Sequence, residues 1–186
     1  MTWNQIARRM RVPLGFLFAI FYLTLARPNA WSIIAGAVLA AAGLAIRALA
    51  SGYVRKNEDL ATTGPYAYTR NPLYLGSIVI AAGFALMARN WIVVLILLVM
   101  FVAIYLPVIR GEEEFLRARF PQFAEYEQRV PRLIPRLFSR PQASPHPTEK
   151  GVFSKQLYLQ HREYNALVGT LAMIALVAAK LFFFSR

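Results

Sequence analysis

Asn90-Trp-Ile-Val-Val-Leu-Ile-Leu-Leu-Val-Met-Phe-Val-Ala-Ile-Tyr-Leu-Pro-Val-Ile109 is a run without Asp, Glu, Lys or Arg, and it decides what kind of molecule this is. A helix rises about 1.5 Å per residue, so roughly 20 residues cross the hydrocarbon of a bilayer. Four more charge-free runs flank it: Val12 to Ala26, Pro28 to Ile46, Asn71 to Ala88 and Tyr164 to Ala179. In chain order the second, third and fourth runs are long enough to span. The first and last are short, and each extends, towards Ile6 and past Lys180 respectively. The stem of Lys180 can snorkel while Leu181 to Phe184 stay in lipid. With 58% apolar residues, the expected fold is all-α: an integral membrane helical bundle of about five transmembrane helices, with a cytosolic amphipathic helical segment between spans four and five.

Charge placement sets the expected orientation. Arg8, Arg9 and Arg11 precede the first span, Arg55, Lys56 and Arg70 lie between the second and third, and the region from Arg110 to Arg162 is densely basic. The opposite ends carry Arg27, Arg89, Lys180 and Arg186. The amino terminus, residues 51–70 and residues 110–163 are therefore expected in the cytosol. Basic loops beside an anionic leaflet account for the net charge of +12 without nucleic acid, so none is expected as a partner. The chain has no cysteine, which excludes disulfides and thiolate metal sites. No small-residue cleavage site follows the first run, which reads as a retained span in a bacterial inner membrane.

The chain reads as one membrane-embedded domain over 1–186, with a Pro/Ser-rich linker at 139–151 and a C-terminal helix at 156–184. Arg27-Pro28-Asn29 and Arg89-Asn90 are short connections that make antiparallel hairpins. Small residues crowd the second span, from Ala35 and Gly36 to Gly43 and Ala45. They predict close packing within the bundle rather than a dimer face. Trp3, Trp31, Trp91 and Tyr22 read as interfacial anchors. His146 and His161 have no second ligand type at metal spacing, and no metal site is expected.

Two polar stretches at helix ends carry the chemistry. The first is Gly64-Pro-Tyr-Ala-Tyr-Thr-Arg-Asn-Pro-Leu-Tyr-Leu-Gly76. Gly64-Pro65 signals a turn, and Asn71-Pro72 starts a helix, Asn as cap and Pro at the first helical position. The amides of that first turn, with Arg70 beside them, suit an anionic group. Tyr66, Tyr68 and Tyr74 offer ring faces to a base or a cation. These residues are also ordinary at a membrane interface, and both readings stand on this stretch alone.

The second stretch is Gly111-Glu-Glu-Glu-Phe-Leu-Arg-Ala-Arg-Phe120. A helix through it carries Glu112, Leu116 and Phe120 on one side. Phe115, Phe123, Tyr126 and Val130 continue an amphipathic surface against the membrane. The carboxylates form either a solvated face paired with Arg110, Arg117 and Arg119 or a ligand site. If the third and fourth spans form a hairpin, the Arg70 to Tyr74 cap meets Glu112 and Glu113. A ligand with a carboxylate, an ammonium, a sulfonium, a ribose and an aromatic base suits that combination, and S-adenosylmethionine has all five.

Gly64-Pro-Tyr-x3-Arg70-Asn-Pro-Leu-Tyr-Leu-Gly76, with Glu112-Glu113-x2-Leu116-x3-Phe120 and then Phe123-x2-Tyr126-x3-Val130-Pro131, resembles the membrane methyltransferases of the isoprenylcysteine carboxyl methyltransferase and phospholipid N-methyltransferase group. The likeness covers about residues 55–136. It implies an enzyme that transfers a methyl group from S-adenosylmethionine, leaving S-adenosylhomocysteine, to a lipophilic acceptor from the bilayer. It also implies Leu60, Ala61, Tyr66, Asn71, Pro72, Leu73, Tyr74 and Glu112 as cofactor contacts, with Arg70 beside them and with Glu113 and Arg110 as catalytic candidates. The chain departs from the family at Asn71, where the family usually has His, at Pro121, where it has Gly, and at Val108, where the isoprenylcysteine enzymes have Arg. The alternatives are a nicotinamide-dependent membrane reductase similar to the sterol reductases, which share an Arg-x-Pro-x-Tyr-x-Gly turn, and a non-catalytic membrane scaffold.

Overall fold

Helices form along each apolar run, and a proline, an asparagine or a left-handed residue follows the end of α1, α3, α5 and α7. The computed structural model describes residues 3–54, 59–135 and 153–184. In chain order these hold α1 (Trp3–Leu25), α2 (Ala30–Ser51), a 3-10 turn (Gly64–Ala67), α3 (Pro72–Ala88), α4 (Trp91–Met100), a π-helical turn (Phe101–Tyr105), α5 (Leu106–Arg119), α6 (Phe123–Arg129), α7 (Lys155–Gln160) and α8 (Tyr164–Phe184). Among the described residues there is no strand. The linker at 139–151, with His146, lies outside the described residues.

Among the described residues three helical stretches are long and apolar enough to cross a membrane: Ala30–Ser51, Trp91–Arg119 and Tyr164–Phe183. Pro13–Leu25 and Pro72–Ala88 are shorter apolar helices. The third run thus makes a shorter helix than its composition suggests. It starts at Pro72 and stops before Arg89, whose φ of 48° is left-handed. Asn90 then opens α4, its side-chain oxygen accepting from the Ile92 N–H at 2.9 Å. The last run makes a longer helix, because α8 continues through Lys180.

Many large apolar side chains face outward, among them Phe16, Val38, Leu98 and Val168, each more than half exposed. In water such a surface would drive aggregation, whereas lipid tails solvate it. Trp31 and Trp91 are exposed near helix starts, as interfacial anchors would be. Tyr22 is not an anchor. It is 1% exposed, and its hydroxyl donates to the Phe84 carbonyl at 2.9 Å. A phenol within an apolar bundle needs such a partner, and sequence gives no hint of which face of α1 it occupies.

The chain divides into two compact units. The first comprises Met1–Ala40, Ala81–Glu114 and Thr170–Arg186. Its core joins Tyr22, Ala26, Met87, Ala88, Val93 and Val177, with Phe18, Phe84 and Leu97 packed against them. Gly36 and Gly83 are what let α2 and α3 touch here. A Cβ on Gly83 would stand 2.5 Å from the Gly36 carbonyl oxygen and 2.9 Å from the Ala40 nitrogen. Gly36, Ala40 and Gly43 are buried by packing within the bundle, as the pattern predicts, whereas Ala35, Ala41, Ala42 and Ala45 are exposed.

Backbone ends in this unit are closed by distant backbone and side-chain partners. The Arg27 N–H donates to the Ala88 carbonyl at 2.8 Å, the Asn90 amide to the Leu25 carbonyl at 2.8 Å, and the Ser32 hydroxyl to the Met87 carbonyl at 3.3 Å. Lys180 does not snorkel outward. Its ammonium donates to the carbonyls of Leu23, Thr24 and Ala26 at 2.6, 3.2 and 2.7 Å. These carbonyls close α1, where no further turn supplies N–H donors.

The long stretch Trp91–Arg119 contains a π-helical turn, with the Leu106 N–H reaching the Phe101 carbonyl. Pro107 explains its position. The proline ring crowds the carbonyl four residues back, and a wider turn relieves that contact. Everything after the turn, including Glu112 and Glu113, faces differently than an uninterrupted α-helix would place it.

The second unit comprises Ala41–Ile80 and Phe115–Gly169. There α2 and α3 approach again, and a Cβ on Gly76 would stand 2.7 Å from the Gly43 carbonyl oxygen. Its core gathers Leu60, Phe123 and Tyr126, with Leu116, Phe120 and Val130 around them.

Two outcomes test this packing. Gly83→Leu is expected to lower the unfolding midpoint in detergent, overpacking costing about 1–3 kcal/mol or more, while Gly169→Ala, where nothing lies within 4 Å of the added carbon, leaves it unchanged or raised. Lys180→Met is expected to cost about 1–3 kcal/mol in the same melt, from carbonyls left without a donor.

Candidate functional site

The two polar stretches differ in how they are held. Gly64 takes the left-handed φ of 58° that turns the chain into the 3-10 turn, and the Tyr53 ring occupies the space a side chain would need. Tyr66 is buried, and its carbonyl accepts from the Tyr126 hydroxyl at 2.7 Å. The Arg70 N–H donates to the Pro131 carbonyl at 2.9 Å. Thr69 Oγ1 and Asn71 Nδ2 both donate to the Arg132 carbonyl at 3.1 Å. The loop before α3 is thus fastened to the segment after α6 by backbone and side chain together. The Asn71 carbonyl receives the Leu75 N–H at 3.0 Å, the first bond of α3.

Charge reinforces the same clamp. Arg70 pairs with Glu127 at 3.1 Å, and Arg117 reaches the same carboxylate at 2.6 Å. The hydrogen bond from Arg117 and the two nearby guanidinium charges hold Glu127 below the usual carboxylate range, against partial burial, which pushes it up. Arg117 also lies over the Phe123 ring, 5.8 Å from its centroid.

The structure brings together Leu60, Tyr66, Arg70 and Asn71 of the predicted site residues on this clamp within the second unit. Leu60 is 5% exposed, in contact with Phe123 and Tyr126, and Ala61 beside it is half-buried. Pro72 is buried as the first residue of α3, and Leu73 and Tyr74 follow half-buried on its first turn. Arg110, Glu112 and Glu113 belong to the first unit. On α5, Glu113 is 2% exposed, Glu112 half-buried, and Arg110 exposed. A carboxylate as buried as Glu113 is functional or paired far more often than incidental. Glu114 points to solvent, so the triplet is not uniformly a solvated face.

Phe123 and Tyr126 do not lie on the membrane as an amphipathic continuation. Arg119 ends α5, since Pro121 disfavours helix at the residue before it, and α6 restarts at Phe123. Phe123 and Tyr126 then turn inward, because Leu60 and the Tyr66 carbonyl, some 60 residues away in sequence, cover them. Phe115 alone of that set is half exposed.

Arg47 and Glu163 are the polar residues that reading the motifs did not pair. The expected C-terminal helix 156–184 is broken at His161 to Glu163, where Arg162 has a φ of 53°. That break delivers Glu163 to Arg47 at 2.8 Å. The signal was present, since Arg47 is the charged residue of an otherwise apolar α2. His161 sits in the break. Among the described residues no group of three or more His, Asp or Glu stands close enough to hold a metal ion.

As a test of the charge clamp, Glu127→Gln is expected to lower stability at neutral pH by about 1 kcal/mol or less. The depressed carboxylate contributes stability above its unfolded pKa and loses it as pH falls through the folded value. The gap between wild-type and variant melting midpoints should therefore close in acid.

Two curated bacterial proteins are similar to this chain. The cobalt-zinc-cadmium resistance protein CzcN of Cupriavidus metallidurans is 42% identical over 83 residues, 45% of this chain and 38% of that protein. The nickel-cobalt-cadmium resistance protein NccN of Alcaligenes xylosoxydans xylosoxydans is 36% identical over 103 residues, 55% of this chain and 48% of that protein. The chain spans less than half the length of either relative. No solved structure matches it significantly. Residues 32–122 match the phospholipid methyltransferase family, and this match points to a membrane methyltransferase.

Proposed function

We propose that the protein transfers a methyl group from S-adenosylmethionine to a lipophilic acceptor in the bilayer, an isoprenylcysteine-like carboxylate or a phospholipid amine. The observation that carries this reading is the clamp at Thr69 to Asn71, which fastens the start of α3 within the family-matched segment's first polar stretch. A pre-set helix start offers amides and a positive dipole end to a carboxylate with little reorganisation on binding. Lys and Arg asymmetry supports a cytosolic amino terminus and cytosolic motifs.

The residues present suit the cofactor's chemistry. The first-turn amides of α3 match its carboxylate, and Tyr66 and Tyr74 supply aromatic surface. Arg70 gives one N–H to Glu127, so its charge is shared rather than dedicated to a ligand. The family likeness assigns Leu60, Ala61, Asn71, Pro72, Leu73 and Glu112 to the same contacts, Glu112 as acceptor for ammonium or hydroxyl donors. When bound, the cofactor supplies an electrophilic methyl group on a sulfonium. The protein's work is then to align the acceptor and exclude water. A carboxylate acceptor needs no base, whereas an amine must lose a proton, for which Glu113 is the candidate and Arg110 the candidate partner for an anionic substrate group.

Tyr74→Ala and Glu112→Ala are each expected to weaken S-adenosylmethionine binding about tenfold or more, measured by equilibrium dialysis on monodisperse protein in detergent. Unchanged affinity in both variants overturns the assignment. Binding of NADPH in place of S-adenosylmethionine would move the chain to the reductases.

A further inference from the structure

Arg47 lies in the last turns of α2, one of the stretches long enough to cross the membrane, and its donors are fully engaged. Nε donates to Glu163 Oε2 at 3.0 Å, and Nη2 to Oε1 and Oε2 at 2.9 and 2.8 Å. Nη1 donates to the Leu73 carbonyl at 3.2 Å and to the Ser77 hydroxyl at 2.5 Å. The guanidinium thus joins α2 to the first turns of α3 and to Glu163. An ion pair in an apolar helix bundle carries a desolvation cost that two apolar side chains would not, so its retention asks for a use.

Beside the pair lies a cavity of about 190 Å³, walled by Leu44, Ala45 and Ala48 of α2, Ala166 and Leu167 of α8, and Tyr158 of α7. That is roughly six waters' worth of space at about 30 Å³ each, enough for part of one hydrocarbon chain and too little for a folded headgroup. The walls are mostly apolar, and Ala45 and Leu167 are exposed at its edge. Both α2 and α8 belong to stretches fit to cross a membrane, so the occupant reaching this edge is a lipid. The polar end selects further. Arg47 has no donor left and its charge is balanced, so an anion gains nothing there. Glu163 accepts three bonds and a carboxylate has about four lone-pair sites, which leaves room for one donor.

We propose that this cavity binds one hydrocarbon chain of a bilayer lipid, with a hydrogen-bond donor of the lipid's polar end, an ammonium or a hydroxyl, on the Glu163 carboxylate. The site stands apart from the cofactor reading and is tested without S-adenosylmethionine, so either can fail alone.

The test uses full-length protein in vesicles of phosphatidylethanolamine and phosphatidylglycerol, with a phosphatidylethanolamine whose acyl chain carries a photoreactive diazirine. Adducts are expected several-fold enriched at residues 44–48 and 166–167 over lipid-facing Val38 and Leu98. Ala166→Phe, which fills the cavity, should bring the enrichment to background, and Ala45→Phe at the exposed edge does the same where the first variant fails to fold. A phosphatidylcholine probe, which has no N–H donor, should be enriched several-fold less. Uniform labelling, or enrichment that survives both substitutions, overturns the site. Equal enrichment of the two probes overturns the assignment of Glu163 as the acceptor.

Discussion

A backbone polar group inside hydrocarbon has no water to turn to, and that constraint shapes this protein more than any attraction between side chains. Helices meet it along their lengths but leave carbonyls and amides open at their ends. Here the ends are closed by long-range partners. Lys180 serves the carbonyls at the end of α1, and Asn90 and Arg27 tie the two short connections of the first unit together. Positive side chains at helix carboxyl ends also suit the helix dipole, so Lys180 is favoured there twice over.

With lipid outside, burying apolar surface brings little net gain between helices, and close contact has to supply the difference. The glycines provide it. Gly36 against Gly83 in one unit and Gly43 against Gly76 in the other bring backbone to backbone. The two glycines of α2 are seven residues apart, as are those of α3. The second unit has a different balance. Phe123, Tyr126 and Leu60 form a small core of the kind found in water-soluble domains, and the ion pairs of Glu127 lie at its edge.

That core holds the first polar stretch in place. The loop from Thr63 to Asn71 has little secondary structure of its own beyond one 3-10 turn. It is held because α6 and the residues after it present a hydroxyl and two carbonyls at the right places. A binding loop fixed in this way loses less freedom when a ligand arrives, which is the usual route from a flexible segment to a usable site. Arg47 adds a second tie, joining the Leu73 carbonyl and Ser77 of α3 to Glu163.

The sequence alone determined that this is an all-helical membrane protein, where α3 and α4 begin, and which two stretches resemble a methyltransferase, because charge-free runs, Asn-Pro caps and motif spacing are local properties. It also showed the small-residue face of α2, since glycine and alanine in a span have few other uses. Tertiary structure alone decided what those residues meet. That Tyr22 is core rather than anchor, that Lys180 caps α1, that Phe123 and Tyr126 face Leu60, and that Glu163 pairs with Arg47 all depend on segments far apart in the chain. Hydrogen-bond partners and burial are set by packing geometry, and no period or spacing along the chain encodes it.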